Sequence, residues 1–484
     1  NESDPPIDTN KIDFNESLSV QFTITLPKAD QKPERSEYGY TVLEDGTVEI
    51  TGYNGNDTDV VVPDKINGKS VTSIGDWAFY DCTSVTSIKL PNSVTNIGEG
   101  AFNDCTSLIS VTIPDGVASI GDNAFSSCTN LASITIPNSV MEIGEFAFND
   151  CTSLTSITIP NSVTRIGYRS FENCTSLISI TIPDSVKSIE GSSFNNCTSL
   201  KSVMIPDSVT DIGLNAFSGC ASLTSITIPS GVTSIGNGAF ENCTSLTEIK
   251  VSTKNAKYVS VNGVLYNKNK TTIKCYPAGK KDKTYKILDG VKSIDESAFD
   301  GCISLTSITI PDGVTNIGNY AFRNCESLMS ITIPDGATSI GDWAFGACMN
   351  LMSITLPDSV TEIGWFAFNG CTSLTSIAIP YGVTNIDDGT FWDCESLTSI
   401  TIPDSVSSIG DHAFYGCTSL TSITIPDSVT GINFGVFEGC TSLTSITIPN
   451  SVTDIDDSAF RDCTSLTSIT IPNSVTEIGW YAFD

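Results

Sequence analysis

The sequence has few of the residues that histidine-dependent catalysis or phosphate binding would need. Only one of its 484 residues is a histidine, and 24 lysines and arginines stand against 55 aspartates and glutamates, which gives a formal net charge of −31. Nucleic acid and anionic membrane surfaces both need clusters of basic side chains, so neither is expected as a partner. No apolar run approaches the roughly 20 residues that span a bilayer, so we expect no insertion of this segment into a membrane.

The motifs of common catalytic and metal sites are missing as well. The sequence contains no C-x-x-C pair for zinc and no G-x-x-x-x-G-K phosphate loop. A histidine-dependent triad would have to use His412, which lies in "GDHAF" at a position where other repeats carry unrelated residues. We therefore predict a non-enzymatic protein without catalytic residues, metal ligands or a cofactor.

The cysteines, in contrast, are numerous and regularly spaced. Sixteen of the 17 follow one another at steps of 23 residues, in one run from Cys82 to Cys243 and a second from Cys302 to Cys463. The exception is Cys275. A strict period of roughly 20 to 29 residues indicates a leucine-rich-repeat coil. In such a solenoid one core grows along an axis instead of closing on itself.

Each unit reads C-T-S-L-T-S-I-T-I-P-D/N-S-V-T-x-I-G-x-x-A-F-x-x. Alternation in S-I-T-I predicts a strand whose serine and threonine point away from the core, and the proline ends it. The later valine and isoleucine point inward from the second side of the coil. After the glycine we expect a short helical turn that ends in Ala-Phe. Seventeen of the 22 phenylalanines occupy this place, from Phe79 to Phe483, which predicts a stacked spine in the core.

The cysteine column has two interpretations. One small residue at the same core position in every coil suits a ladder of buried free thiols, because a free cysteine packs as a small apolar group. The alternative is a disulfide framework with one thiol left over, as the odd number of cysteines would require. Disulfides usually join different positions of a repeat, so we expect free thiols.

The pattern resembles the BspA-like class of leucine-rich repeats. It is carried by stretches such as "LTSITIPNSVTRIGYRSFENC" and "LTSITIPDSVSSIGDHAFYGC", and it covers nearly everything from about Val71 to Asp484. The fold expected is an α/β repeat solenoid of right-handed 23-residue coils. A parallel β-sheet would form one face, with mostly short helical turns and loops on the other. The resemblance implies a bacterial secreted or surface-attached protein, and several members of the class act as adhesins.

The period also divides the chain. Residues 1–37 are polar and acidic and are predicted to be a linker or tail, and a hairpin turning at Asp45-Gly46 is expected in the N-terminal cap. The period breaks between the two runs, where we predict an irregular repeat with a projecting basic hairpin that turns near Asn267 to Lys270. The predicted segments are the tail at 1–37, the cap and first partial repeat at 38–81, repeats at 82–249, the irregular repeat at 250–290, and repeats at 291–484.

Two groups of side chains are candidate binding residues. The first is an aromatic column before Ala-Phe, since exposed aromatic residues often anchor interfaces. Alternatively, these rings shield the turn or pack on neighbouring coils. The second is a basic island, because residues 250–286 hold 10 of the 24 lysines and arginines and a single acid, Asp282. Alternatively, these lysines prevent edge pairing of the hairpin. The candidates are Trp77, Phe146, Tyr320, Trp343 and Phe366 in the column, and Lys268, Lys270, Lys280 and Lys281 in the island.

A third candidate surface is the outer face of the strands, where residues such as Ser156 and Thr158 form two hydroxyl columns. This face is either simply solvated or a broad, weak docking surface.

Together these features predict a non-enzymatic extracellular binding protein that acts in adhesion or in host or cell-surface interaction. Its partner would be a protein or glycan on a host or neighbouring cell. The alternative is a structural spacer or scaffold of a surface assembly with no specific ligand. The chain begins at Asn1 without a methionine, so an export signal could have been removed. No feature indicates an oligomeric state.

Overall fold

The computed structural model describes residues 37–484, so the predicted tail at 1–37 lies almost entirely outside the described residues. All regular elements within this range are β-strands, which we number in chain order. The first twenty are β1 (Tyr38–Val42), β2 (Val48–Tyr53), β3 (Asp59–Val61), β4 (Lys65–Ile66), β5 (Lys69–Ile74), β6 (Ser87–Lys89), β7 (Asn96–Ile97), β8 (Ser110–Thr112), β9 (Ser119–Ile120), β10 (Ser133–Thr135), β11 (Glu142–Ile143), β12 (Ser156–Thr158), β13 (Arg165–Ile166), β14 (Ser179–Thr181), β15 (Ser188–Ile189), β16 (Ser202–Met204), β17 (Asp211–Ile212), β18 (Ser225–Ile228), β19 (Ser234–Ile235) and β20 (Glu248–Val251). The remaining strands are β21 (Tyr258–Val261), β22 (Val264–Asn267), β23 (Thr272–Cys275), β24 (Thr284–Lys286), β25 (Ser293–Ile294), β26 (Ser307–Thr309), β27 (Asn316–Ile317), β28 (Ser330–Thr332), β29 (Ser339–Ile340), β30 (Ser353–Thr355), β31 (Glu362–Ile363), β32 (Ser376–Ala378), β33 (Asn385–Ile386), β34 (Ser399–Thr401), β35 (Ser408–Ile409), β36 (Ser422–Thr424), β37 (Gly431–Ile432), β38 (Ser445–Thr447), β39 (Asp454–Ile455) and β40 (Glu477–Ile478).

Most coils contribute one strand to each of two parallel ladders, not to one sheet only. The predicted S-I-T strand forms the first ladder, in which β12 pairs with β10 and β14. The two-residue strand before the glycine forms a second ladder, in which β13 pairs with β11 and β15. The step between these strands is 23 residues, so Ile157 lies directly beside Ile134. The parallel solenoid is therefore confirmed, with a second sheet on the face where loops were expected.

The segment that leads to the recurring phenylalanine is a series of β-turns, so the predicted helical turns are wrong. The N–H of Phe79 donates to the Ala101 carbonyl of the next coil over 2.8 Å, whereas the N–H of Tyr80 closes a turn back to Trp77 over 3.1 Å. In an α-helix every N–H would return to its own turn. A positive φ of 56° at Trp77 and 57° at Asp81 keeps the chain out of the helical conformation. Alternate amides are thus free to bond between coils.

The predicted phenylalanine spine runs through the core. Phe148 is fully buried, and its ring centroid lies 5.4 Å from that of Phe125 with the two planes only 4° apart. In the cap Tyr53 stacks on Phe79, and in the irregular repeat Tyr276 takes the phenylalanine position and stacks on Phe299, both at 5.3 Å. Each inner ring therefore has both faces covered, which is how a unit too small for its own core hides its apolar side chain.

The cysteines are free thiols, as predicted. All 17 are unpaired, and every one except Cys82 and Cys275 is buried. The structure adds a bond that the sequence did not reveal: the Cys151 Sγ donates to the carbonyl of Phe125 in the preceding coil over 3.2 Å. Burial raises the pKa of Cys128 to about 12, so such a thiol stays protonated and keeps its hydrogen for this bond.

The cap contains the predicted hairpin. Strands β1 and β2 pair antiparallel, and the turn at Asp45-Gly46 has φ of 84° at the glycine. The Asp45 side chain accepts a hydrogen bond from the Thr47 amide over 2.9 Å. Strand β2 then pairs in parallel with β5, so the hairpin covers the N-terminal edge of the second ladder.

The irregular repeat contains the predicted hairpin, which turns between Asn267 and Thr272, but the hairpin is built into the core, so the prediction that it projects is wrong. Strand β22 pairs antiparallel with β21 on one side and β23 on the other. Its residues Val264, Leu265 and Tyr266 are completely buried. Leu265 packs with the core of the N-terminal half, whereas Val264 and Tyr266 pack with that of the C-terminal half. The turn at 268–270 reaches the surface, whereas β22 does not, because both its faces are apolar.

A polar cluster beside this junction ties the two halves together. The Arg323 guanidinium bonds to Glu241, which precedes the irregular repeat, and to Asp300, which follows it. Ser297 also donates to Glu241, over 3.0 Å. The Asp300 side chain is fully buried, and this burial raises its pKa to about 6 even though Arg323 favours the charged form. We call Arg323, Glu241 and Asp300 the junction cluster.

Candidate interaction surfaces

The outer face of the first ladder is polar, as predicted. Along strand β12 the outward residues Ser156 and Thr158 are exposed while Ile157 is buried. Threonines outside the strands have a structural role instead, because the hydroxyl of Thr155 donates to the Ala132 carbonyl of the preceding coil over 3.3 Å. Among the residues that interrupt the hydroxyl columns, Met204 is 70% exposed. This face is broad and chemically uniform.

The predicted aromatic column lies on the β-turns, at the residue two before the spine phenylalanine. All five candidates have φ between 54° and 56°, a left-handed conformation that is uncommon for a bulky residue. Trp77 packs edge-on against Tyr80 and is 44% exposed, and Phe146 packs edge-on against Tyr168. The rings therefore do pack on their neighbours, which was the alternative interpretation, yet part of their surface stays accessible.

The structure gathers two of these five residues into a larger group. Trp343 stacks on Phe366 with centroids 4.9 Å apart, and Phe366 approaches Trp392 at 6.0 Å. Trp392 in turn contacts the rings of His412 and Tyr415, and His412 meets Phe434 edge-on at 4.8 Å. We call this group the aromatic cluster; its members are Trp343, Phe366, Trp392, His412, Tyr415 and Phe434. Trp365, beside Phe366, is 58% exposed.

Glycines in the next coil provide the space that some of these rings occupy. A Cβ on Gly389 would lie 2.1 Å from Cε1 of Phe366, and one on Gly435 would lie 2.6 Å from Cδ2 of His412. The same relation links Trp77 with Gly100, at 2.4 Å. These glycines thus allow an aromatic ring of the preceding coil to lie across the backbone.

This packing predicts the effect of Gly389→Ala. We expect a loss of about 1–3 kcal/mol in the free energy of unfolding, because φ is positive there and the methyl group would clash with the Phe366 ring. In a Phe366→Ala background the same change should cost clearly less, which urea denaturation of the four proteins of a double-mutant cycle would measure. Gly52→Ala, with no atom within 4 Å of the new methyl group, is the control. An equal cost in both backgrounds would show that the ring is not the cause.

The structure distributes the four candidate lysines over the irregular repeat. Lys268 Nζ donates to the Asn255 carbonyl over 2.5 Å, and Lys280 is half-buried with its Nζ 3.4 Å from Asp282. Lys270 and Lys281 are exposed, Lys270 at a turn position with φ of 59°. Lys270 and Lys281 are therefore available to a partner, whereas Lys268, which is exposed too, and Lys280 also hold the irregular repeat together.

A groove of about 880 Å³ runs along the second ladder of the C-terminal half. It extends over strands β27, β29, β31 and β33 and contains no lysine or arginine. Its acidic residues are Asp295, Glu296, Asp342, Glu362 and Asp387. We call it the acidic groove. Asp342 is next to Trp343 in the chain, so the aromatic cluster borders the acidic groove.

A related groove of about 400 Å³ lies along the second ladder of the N-terminal half, and Arg165 belongs to its lining. The guanidinium of Arg165 bonds to Glu142 over 3.0 Å, to Glu145 over 3.3 Å and to Glu190 over 2.6 Å. These carboxylates come from the coils on either side of the one that carries Arg165. The N-terminal groove therefore already contains a cation matched to its acids.

The surroundings of the single histidine and the grouping of possible metal ligands can be described for residues 37–484. His412 is surrounded by the rings of Trp392, Tyr415 and Phe434. Between residues 37 and 484 no three His, Cys, Asp or Glu side chains are grouped as a metal site would need. The same range has no helix with the length and apolar character to cross a bilayer.

Several surface residues were missed at the sequence level. Trp392 and Tyr415 follow the spine phenylalanine by one residue, outside the column that the repeat pattern suggested, and reach it only through packing. The acidic groove combines residues of different repeat positions, so no single column predicts it. A signal did exist: the stretch between Arg323 and Arg461 contains no lysine or arginine but 16 aspartates and glutamates.

Comparisons with known proteins agree with this architecture. A family model described as the BspA type leucine-rich-repeat region, in six copies, matches residues 62–178, 164–276, 273–398 and 384–484. A leucine-rich cell-surface protein from Faecalibacterium prausnitzii is 35% identical with a TM-score of 0.61, and the match covers 76% of this chain and 93% of that one. The T. pallidum leucine-rich-repeat protein is 36% identical over 39% of this chain and 89% of its own, with a TM-score of 0.38. A leucine-rich-repeat protein from Bacteroides ovatus is 29% identical with a TM-score of 0.37, and the match covers 93% of this chain and 90% of that one. A search of curated proteins found no match.

Proposed function

Since this chain belongs to the BspA-type leucine-rich-repeat family, we propose that it is a non-enzymatic binding protein exposed outside a bacterial cell. Family membership confirms the resemblance read from the repeats. The finer proposal is adhesion: the chain is secreted or surface-attached and holds a protein or glycan of a host or neighbouring cell. Fold alone does not assign a ligand, so the proposal depends on a surface feature of this chain.

The aromatic cluster is the observation that carries this proposal. Aromatic residues at this turn position adopt a left-handed backbone conformation that costs about 1–3 kcal/mol for a residue other than glycine. In the other coils the position holds glycine or asparagine, such as Gly238 and Asn215, which adopt it more easily, or serine or arginine, such as Ser192 and Arg169. Partly exposed rings gathered over neighbouring coils are what an interface anchor requires. Retaining strained aromatic residues together on one surface is better explained by binding than by folding.

The other candidate residues are secondary to this cluster. Trp77, Phe146 and Tyr320 are separate from it, and each packs with neighbours of its own. Lys270 and Lys281 form a second candidate surface for an acidic partner. Because the irregular repeat is part of the core, it should be tested by single substitutions and not by deletion.

The rival function is a structural spacer with no specific ligand. A spacer should tolerate surface substitutions anywhere, whereas a binding protein should lose affinity at one surface while its melting temperature is kept. We would therefore measure binding of the purified chain to extracellular matrix proteins and to a glycan array at physiological salt. The comparison uses Trp365→Ala beside the aromatic cluster, Trp77→Ala as the matched aromatic control, and Lys281→Glu in the irregular repeat.

For a binding protein that uses the aromatic cluster, we expect Trp365→Ala to weaken a saturable interaction about tenfold or more, with Trp77→Ala close to the unmodified chain. Melting temperatures of all variants should stay nearly equal, because Trp365 and Trp77 are both exposed. Loss of binding in Lys281→Glu alone would move the site to the irregular repeat. Absence of saturable binding to any ligand on either panel would contradict the proposal and favour the spacer.

A further inference from the structure

We propose that the acidic groove receives a basic segment of a partner polypeptide and seats an arginine or lysine side chain among Asp342, Glu362 and Asp387. This inference rests on the proposed function and names the chemistry of the partner. The place it assigns to the incoming cation is the one that Arg165 fills in the N-terminal half.

In the N-terminal half, Arg165 of the chain itself occupies the place among the acids that we propose for a partner's basic side chain. Its guanidinium is held by the carboxylates of Glu142 and Glu145 from the coil before and of Glu190 from the coil after. Glu190 contributes two contacts, because Nε lies 2.6 Å from Oε1 and Nη2 lies 3.1 Å from Oε2. Paired contacts of this kind suit the planar fork of an arginine side chain.

The repeat register shows which residues of the C-terminal half occupy the positions equivalent to Arg165 and its partners. Asp342 stands three residues before its spine phenylalanine, as Glu145 does, and Asp387 stands four before, as Glu190 does. At the place of Arg165, six residues before the phenylalanine, the C-terminal half carries Glu362. Asp342 and Asp387 thus retain the acids of Glu145 and Glu190, whereas Ser339 stands where Glu142 does, and a third acid replaces the central cation.

Charge and space both favour a cation among Asp342, Glu362 and Asp387, whereas Asp295 of the same groove is already paired with Lys274. Burial, together with the nearby negative charges of Asp388 and Asp342, raises the pKa of Asp387, as expected for acids without a cation among them. The acidic groove of about 880 Å³ runs over four strands of the second ladder, and both aspartates are shorter than the glutamates they replace. A long basic side chain would fit into the space that these shorter acids leave.

The aromatic cluster forms a suitable border for such a segment. The carboxylate of Asp342 accepts a hydrogen bond from the backbone N–H of Trp365 over 2.9 Å, which fixes the Trp365 backbone beside the acidic groove. This chain already places arginines over aromatic rings elsewhere, with Arg323 4.6 Å from the Tyr320 centroid and Arg169 5.1 Å from that of Tyr168. A basic segment could therefore use carboxylates in the groove and ring faces at its edge.

A polypeptide fits these features better than a metal ion. The described residues contain no group of three acids close enough to share a metal ion, and the acidic groove is elongated, with its lining drawn from strands β27 to β33. Several cationic side chains on one extended chain would match acids distributed along successive coils. Charge complementarity also favours this partner, because no basic residue between Arg323 and Arg461 would repel it.

The test is fluorescence anisotropy with a labelled nona-arginine peptide at physiological ionic strength. The groove variant is Asp342→Asn with Glu362→Gln and Asp387→Asn. The matched control is Asp358→Asn with Asp404→Asn and Asp427→Asn, which removes the same charge from exposed positions in the same half. We expect the groove variant to bind the peptide about tenfold or more weakly, and the control to change by less than about twofold.

A filling variant provides the second measurement. Glu362→Arg should recreate the Arg165 arrangement, so it should abolish peptide binding and raise the melting temperature. Asp358→Arg changes the charge equally and should do neither. Arg165→Gln should open the N-terminal groove and add a second peptide site, visible as a change in stoichiometry.

The outcomes separate this inference from the proposed function. Equal weakening in the groove and control variants would mean that only net charge matters and would overturn the inference, as would unchanged binding in both. Self-association of the chain that is lost on Lys270→Glu with Lys281→Glu would assign the acidic groove to a second copy, which also contradicts it. Peptide binding that follows the expected pattern while no matrix protein or glycan binds would leave the acidic groove established and the adhesion proposal rejected.

Discussion

Replacing Arg323 by methionine is expected to lower the free energy of unfolding by about 3–5 kcal/mol, because it leaves the carboxylates of Asp300 and Glu241 without their counter-charge. Asp300 has no exposed side-chain surface and Glu241 is only 17% exposed, so water cannot replace the lost partner. Methionine keeps much of the aliphatic volume, so the effect comes mainly from the charge, its hydrogen bonds and its contact with the Tyr320 ring. Urea denaturation followed by tryptophan fluorescence would measure the change.

The cost of this substitution should depend on pH with a defined sign. Asp300 has a folded-state pKa of about 6, above its value of about 3.9 in an unfolded chain. The folded state therefore takes up a proton first, and stability from this group rises as pH falls from about 7 to 4. Without Arg323 the pKa of Asp300 should rise further. We therefore expect the penalty of Arg323→Met to be smaller at pH 5 than at pH 8.

Two control variants isolate the junction cluster. Arg461→Met removes a largely exposed arginine with contacts of 3.4 Å and 3.9 Å to Glu438 and Asp462, and it should cost no more than about 1 kcal/mol. Adding Asp300→Asn to Arg323→Met should recover part of the lost stability, because one buried charge is removed. If Arg323→Met and Arg461→Met cost the same, the junction cluster has no special role.

The second large effect is expected at the phenylalanine spine. Phe345→Ala should cost about 3–5 kcal/mol, since it removes a fully buried ring and leaves a cavity. The ring lies between Phe322 at 5.2 Å and Phe368 at 5.5 Å, so two aromatic contacts are lost at once. Because coils contact only their neighbours, the loss should weaken coupling along the array and broaden or split the unfolding transition.

Calorimetry and urea denaturation would detect both changes. Phe434→Ala is the matched control: it removes the same side chain from a site that is 40% exposed, and it should cost less than about 1 kcal/mol. Equal penalties at the two positions would contradict a spine that holds the coils together. A full penalty at Phe345 with one sharp transition would support the spine but not the weakened coupling.

The sequence predicted those parts of the fold that depend on one repeated position. Ile157, Phe148 and Cys151 recur at fixed spacing, so their inward direction followed from the pattern alone. The short helical turns did not form, because the amide of Phe79 finds its acceptor in the next coil, a contact that no local propensity describes. Similarly, the sequence indicated that β22 belongs to a hairpin, but it did not reveal that both faces of β22 are buried. The hairpin was therefore expected to project.

The candidate surfaces, like the fold, were predictable where they depend on a single repeat position. Trp343 and Phe366 were recognisable from their column, but Trp392 and Tyr415 joined them only through packing between different repeat positions. The acidic groove depends on a comparison between two distant coils, in which Glu362 stands where Arg165 stands in the other half. Such a relation becomes visible once the ladder fixes which residues are neighbours.

The hydrogen bonding between coils also bears on how such a gene can change length. Phe79 bonds to the next coil, and Cys151 and Thr155 bond to the one before, so a coil meets much the same partners at any place in a run. Unequal recombination that adds or removes 23 codons within a run would leave these bonds intact. The junction cluster is the exception, because Arg323 and Glu241 are 82 residues apart. We therefore expect length variants to accumulate on either side of the junction and to spare the coils that carry this pair.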